Sequence, residues 1–179
     1  LGSKLGEDYL AVNTILMQFI ILAAFFLDAY AFSTEGIVGF TLGKRNKKSF
    51  SLVVKNSIQL SFFTALIISI FYLIFFKQII NIITDIDIIR FISYKHALWI
   101  IMIPPIASFC YQLDGIFIGA SQTRDMRNGM MFSVACFIVI SIYSTKYFGN
   151  HGLWFSLLLF TVLRSLTLRY FLNNILKKF

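Results

Sequence analysis

Long apolar runs separated by short basic loops constrain this chain more than any other feature. Between residues 10 and 42 the only charged side chains are Asp28 and Glu35. A helix over that run would be about 50 Å long, well beyond the ~30 Å hydrocarbon core of a bilayer, so it must tilt, bend or project. The whole chain of 179 residues is 58% hydrophobic and 13% charged, with a mean hydropathy of +0.79. A soluble domain of that size cannot hide so much apolar surface, so lipid must be the solvent for part of it. The expected fold is an all-α integral membrane protein with about five transmembrane helices, over residues 10–42, 49–76, 96–120, 125–147 and 151–173. Thr84-Asp85-Ile86-Asp87 reads as an N-cap with acidic first-turn residues, which predicts a short interfacial helix over 85–94. Pro104-Pro105 near the middle of the third run predicts a kink whose freed carbonyls need partners.

The net charge of +8 falls between the apolar runs, not along one face, which argues for loop charge at a membrane and against nucleic-acid binding. Lys44, Arg45, Lys47, Lys48, Arg124, Arg127, Arg169, Lys177 and Lys178 sort to one side. Only Lys4, Lys77, Arg90, Lys95 and Lys146 sort to the other. The positive-inside rule then places the start of the chain outside and its end in the cytoplasm. Residues 1–8 carry no signal-peptide pattern and read as a loop leaving something else, so at least one upstream helix is expected. Cys110 and Cys136 both lie in apolar runs and read as small hydrophobes. Neither they nor His96 and His151 have metal-ligand spacing, and no nucleophile–base pair suggests an enzyme.

The chemistry lies in charges that the apolar runs retain. Asp114 sits among Leu113, Gly115, Ile116 and Phe117, where a carboxylate costs several kcal/mol unless compensated. With Asp28 as zero, Asn13, Glu35, Thr14 and Gln18 share an arc of about 140° at 100° per residue. Two carboxylates on such a stripe favour a wet cavity, with Asn13, Gln18 and Tyr111 as lining residues. Measured from the cytoplasmic helix ends, Glu35, Asp114 and Arg164 fall at one level, about 12–13 Å in, with Asp28 about 22 Å in. Asp114 and Arg164 can thus form a structural ion pair, or the carboxylates Asp114, Asp28 and Glu35 can hold a proton or cation, with Arg164 as counter-charge.

The blocks LGEDYLAVNTILMQFIILAAFFLDAYAFSTEGIVGFTLGKRNKKSF (5–50), YQLDGIFIGASQTRDMRN (111–128) and GNHGLWFSLLLFTVLRSLTL (149–168) resemble the multidrug and toxic compound extrusion (MATE) transporters, in particular the DinF-like branch. The resemblance implies a twelve-helix transporter of two six-helix lobes, with this chain supplying helices eight to twelve, most of the second lobe. It also implies a place in the bacterial inner membrane. The missing first lobe would be a partner, as would the lipid bilayer and small organic cations or amphipathic drugs exported against inward H⁺ or Na⁺. No cofactor beyond that coupling ion is implied. Asp114 matches the helix-ten acid that NorM-like branches use for the coupling cation, and Asp28 and Glu35 fall in the acidic block of helix eight. The principal proton site of DinF-like members is usually on helix one, outside this chain. A lipid-linked oligosaccharide flippase of the same superfamily should place more cations in the cavity. A non-transporting scaffold or degenerate half-transporter should tolerate neutral substitution of Asp28 and Asp114.

Overall fold

A computed structural model describes residues 2–176, with the side chains of Ser3 and Lys4 outside the description. Lys177 and Lys178, sorted by charge to the cytoplasmic side, also lie outside the described residues, as does the side-chain position of Lys4. After a 3-10 turn at Gly2–Leu5 the chain is helical throughout. The helices are α1 (Glu7–Gly43), α2 (Lys47–Ile83), α3 (Asp87–Gly119) and α4 (Thr123–Leu176). All four are long and apolar enough to cross a membrane.

α4, at 54 residues, would be about 80 Å long if straight. It is not straight: Gly149, at φ 55 and ψ −134, leaves the helical region. A Cβ at that positive φ would be strained, so glycine is suited to the break. The arms on either side fold back on each other. Asp125 accepts a hydrogen bond from Asn174 at 2.9 Å, and the rings of Phe137 and Phe160 meet edge-on at 5.7 Å.

α3 is the central helix. In its most apolar window 61% of residues are buried, against 22–28% in the other three, and it packs against each of them. Its partner α1 runs parallel to it and buries a seam at Val12, Leu16, Phe19, Ala23, Leu27, Ala31, Thr34 and Val38, the 3–4 residue spacing of one helix face. Where the two approach most closely, Gly115 lies on the backbone of Ala31 and Gly119 on that of Glu35. A Cβ at either glycine would collide with those carbonyls. Two small residues four apart give the backbone-to-backbone approach that membrane helices use when lipid supplies no hydrophobic drive. The wide outer faces are rich in exposed Phe, Ile and Leu, among them Phe25, Phe32, Phe63 and Ile67, as a lipid-facing surface requires.

One expectation is corrected. No separate interfacial helix forms over 85–94, because Asp87–Tyr94 is the opening of α3 itself. Its start is held by Arg90, which reaches Asp85 at 2.9 Å and the carbonyls of Thr84 and Asn81. The acidic first turn thus begins a long helix rather than a short one. Pro104 and Pro105 lie inside the continuous α3 and free a carbonyl, as expected. Pro105 cannot donate to the carbonyl of Ile101, and the Ser69 hydroxyl of α2 donates to it instead at 2.8 Å.

Candidate functional site

The intramembrane charges meet where α3 faces the second arm of α4. Arg164 Nη2 stands 2.7 Å from Asp114 Oδ2, and both side chains are less than one-fifth exposed. The contact is single-pointed. Asp114 Oδ1 and Arg164 Nε are both buried without a hydrogen-bond partner. Cys110, one turn earlier on α3, lies with its sulfur 4.0 Å from the same carboxylate oxygen. Asp28 is half-buried and makes no hydrogen bond or ion pair among the described residues. On the side of α3 that faces α1, the buried Gln112 accepts a hydrogen bond from Thr34 at 2.9 Å, leaving its amide nitrogen unmet.

The structure rearranges several sequence assignments. Glu35 does not join the Asp114–Arg164 level: it lies opposite Gly119, whereas Asp114 is adjacent to the Gly115–Ala31 contact one turn above. Equal depth would require helices that end in one plane. α1 instead continues to Gly43, about two turns past the level at which α3 stops. Glu35 is half-buried and has no side-chain hydrogen bond or ion pair among the described residues.

The polar arc on α1 straddles an edge. Gln18 is exposed at one end of it. Asn13, at the other end, shares the azimuth of Ala31 and so belongs to the packed seam. Its amide is bonded to Asn150 and to the Trp154 indole on α4. Tyr111 makes no hydrogen bond to Asp114. It lines a cavity of about 150 Å³ between α1, α3 and the second arm of α4, with Leu27, Pro104 and Thr161 also on its wall.

A second polar cluster, not anticipated as such, occupies the opposite end of the bundle from the basic loops. It comprises Asn13 (α1), His96 and Trp99 (α3), and Asn150, His151 and Trp154 (α4). Asn150 reads in sequence as a turn residue but is only 4% exposed. The available signal was that two indoles, two imidazoles and two amides all sit near helix ends; nothing in their spacing shows that they converge. Among the described residues no group of three or more His, Cys, Asp or Glu side chains is placed to hold a metal ion.

Apolar helices of membrane-crossing length, lipid-compatible outer faces and a buried charge pair define a multi-pass membrane protein. The chain belongs to the MatE family, whose model matches residues 1–145. It is similar to the DNA damage-inducible protein F of Escherichia coli (strain K12), with 34% identity over 154 residues, covering 86% of this chain and 33% of that protein. The chain thus spans about a third of the length of the curated relative it matches. No solved structure matches it.

Proposed function

We propose that this chain is part of an efflux transporter of the bacterial inner membrane that exports small organic cations or amphipathic compounds against an inward flow of H⁺ or Na⁺. In this reading α4 crosses twice, giving five spans that form most of a second lobe, with the start of the chain outside and its end cytoplasmic. A further lobe of the same protein completes the pathway. Family membership supports transport over catalysis.

The observation that carries the coupling role is the half-met state of Asp114. A carboxylate inside a membrane-crossing helix has one oxygen on Arg164 and the other buried with no partner. That oxygen can take a proton or a dehydrated cation at little further desolvation cost, while the other is held by a guanidinium that never deprotonates. Arg164 then acts as an internal counter-cation. A coupling ion that enters must share or displace it, which ties occupancy of Asp114 to the position of α4. Asp28 and Glu35, without fixed cationic partners, are the secondary candidates. Gln18 is the polar residue of α1 placed to meet substrate.

The test is export of a fluorescent organic cation by cells carrying the full-length protein. Asp114→Asn is expected to abolish or severely reduce export at unchanged membrane abundance. Asp114→Asn combined with Arg164→Gln removes both charges together. If the pair is only structural, the double variant regains export. If Asp114 carries the ion, it stays inactive. Normal export by the Asp114→Asn single variant would remove Asp114 from the mechanism.

A further inference from the structure

The hydrogen bonds of the second polar cluster fix the protonation state of its histidine. The Trp154 indole N–H can only donate, and it does so to Asn13 Oδ1 at 2.9 Å. That orients the Asn13 amide, so its nitrogen donates to Asn150 Oδ1 at 2.7 Å, and Asn150 Nδ2 donates back to Asn13 Oδ1 at 3.0 Å. Asn150 Nδ2 is thereby also turned towards His96 Nε2, 3.1 Å away. His96 Nε2 must accept there. At the other side of the ring, His96 Nδ1 lies 2.8 Å from the carbonyl of Ile92, which can only accept, so the ring hydrogen is on Nδ1. Two independent routes reach one neutral tautomer.

We infer that His96 Nε2 is a proton-binding site, and that filling it opens the clasp joining α1 to the second arm of α4. The added proton leaves the Nδ1–H bond to Ile92 intact but sets an N–H against the Asn150 amide nitrogen. Turning over the Asn150 amide repairs that contact only if Asn13 also turns, which then faces its NH₂ to the Trp154 N–H. No arrangement of these amides satisfies every donor once the ring is charged. Among the described residues the remaining neighbours add no anion. On α1 the Tyr9 ring stands edge-on at 6.5 Å; on α4 His151 stacks on His96 at 4.2 Å; on α3 the adjacent Lys95 is cationic. His151 Nδ1 accepts from the Trp99 indole at 3.0 Å, so it too is held as an acceptor. The clasp is thus shut by neutral groups and loosened by protons. The inference stands apart from the transport reading, since it needs no substrate.

Trp154 reports on the clasp directly. In the full-length protein with Trp99→Phe, tryptophan fluorescence is followed from about pH 8 to about pH 5, the range in which imidazole titrates, and the profile of the same protein with His96→Gln is subtracted. Gln at 96 can accept from Asn150 but does not titrate in this range. A pH-dependent difference is expected. Asn13→Asp offers two acceptors, so Asn150 can turn its oxygen to a protonated His96. That variant should move the change upward by about one pH unit, a tenfold gain in proton affinity. His151→Gln removes the competing imidazole and should also move the change upward. Identical profiles with and without His96 would overturn the inference. If His96→Gln does not fold, as judged by helical circular dichroism, the two variants that keep His96 decide, and an unmoved transition in both overturns it.

Discussion

The two polar clusters of this molecule both draw on α3 and the second arm of α4, the clasp adding Asn13 of α1, yet they solve burial in opposite ways. At the Asn13–His96–Asn150 clasp every group is neutral and the amides and indole are mutually bonded. At Asp114–Arg164 full charges meet through one contact, with a carboxylate oxygen and a guanidinium nitrogen left over. A satisfied neutral network holds helices in one arrangement, because any movement orphans several groups together. A pair with unmet capacity leaves room for a further ion or hydrogen-bonding group. One end of the bundle thus closes its polar groups on one another, and the middle keeps hydrogen-bonding capacity in reserve.

The contrast can be broken most forcefully at the contact both clusters depend on. Gly115→Leu should separate α1 from α3 and prevent stable folding, because the new side chain meets backbone rather than a movable side chain. The check is membrane abundance and monodispersity in detergent. A well-folded Gly115→Leu protein would show that the close approach is dispensable. Next in size is Arg164→Ala, which strands the Asp114 charge and should cost about 3–5 kcal/mol in stability. Adding Asp114→Asn should restore much of that loss, and a double-mutant cycle on thermal unfolding measures the coupling. Additive losses would mean that the two charges do not interact.

A smaller effect sharpens the neutral side. Asn13→Leu removes the acceptor for Trp154 and both bonds to Asn150, with an expected loss of about 1–3 kcal/mol. Unlike Arg164→Ala, this loss should be insensitive to any second change at Asp114. The smallest is Ser69→Ala, which leaves the Ile101 carbonyl freed by Pro105 without its donor, at about 1 kcal/mol. A thermal shift in detergent reads both, and an unchanged Ser69→Ala protein would mean that the proline-freed carbonyl finds another partner.

Much of the site was legible one residue at a time. Asp114 and Arg164 announce themselves as charges inside apolar runs, since a bilayer makes each too costly to leave without a role. Their meeting was one of two open readings, and the structure shows it at 2.7 Å. Glu35 was misplaced by about a turn because sequence carries no information on how far α1 overhangs α3. The polar arc of α1 is contiguous on a helical wheel, which cannot say where a neighbouring helix reaches it, as α4 reaches Asn13. The Gly115-Ile116-Phe117-Ile118-Gly119 spacing was available as a close-packing signal and explains the α1–α3 register.

By itself the sequence determined an all-helical, membrane-crossing chain with charges held inside its helices. Hydrocarbon forbids unpaired backbone groups and penalises charge, and those constraints act on local composition, which any window of the chain displays. Tertiary structure alone decided which helix is central, that Ser69 caps the proline-freed carbonyl, and that two indoles, two imidazoles and two amides from three helices close into one network. Those outcomes depend on register and azimuth between helices, set by close contacts such as Gly115 on Ala31 between residues far apart in sequence.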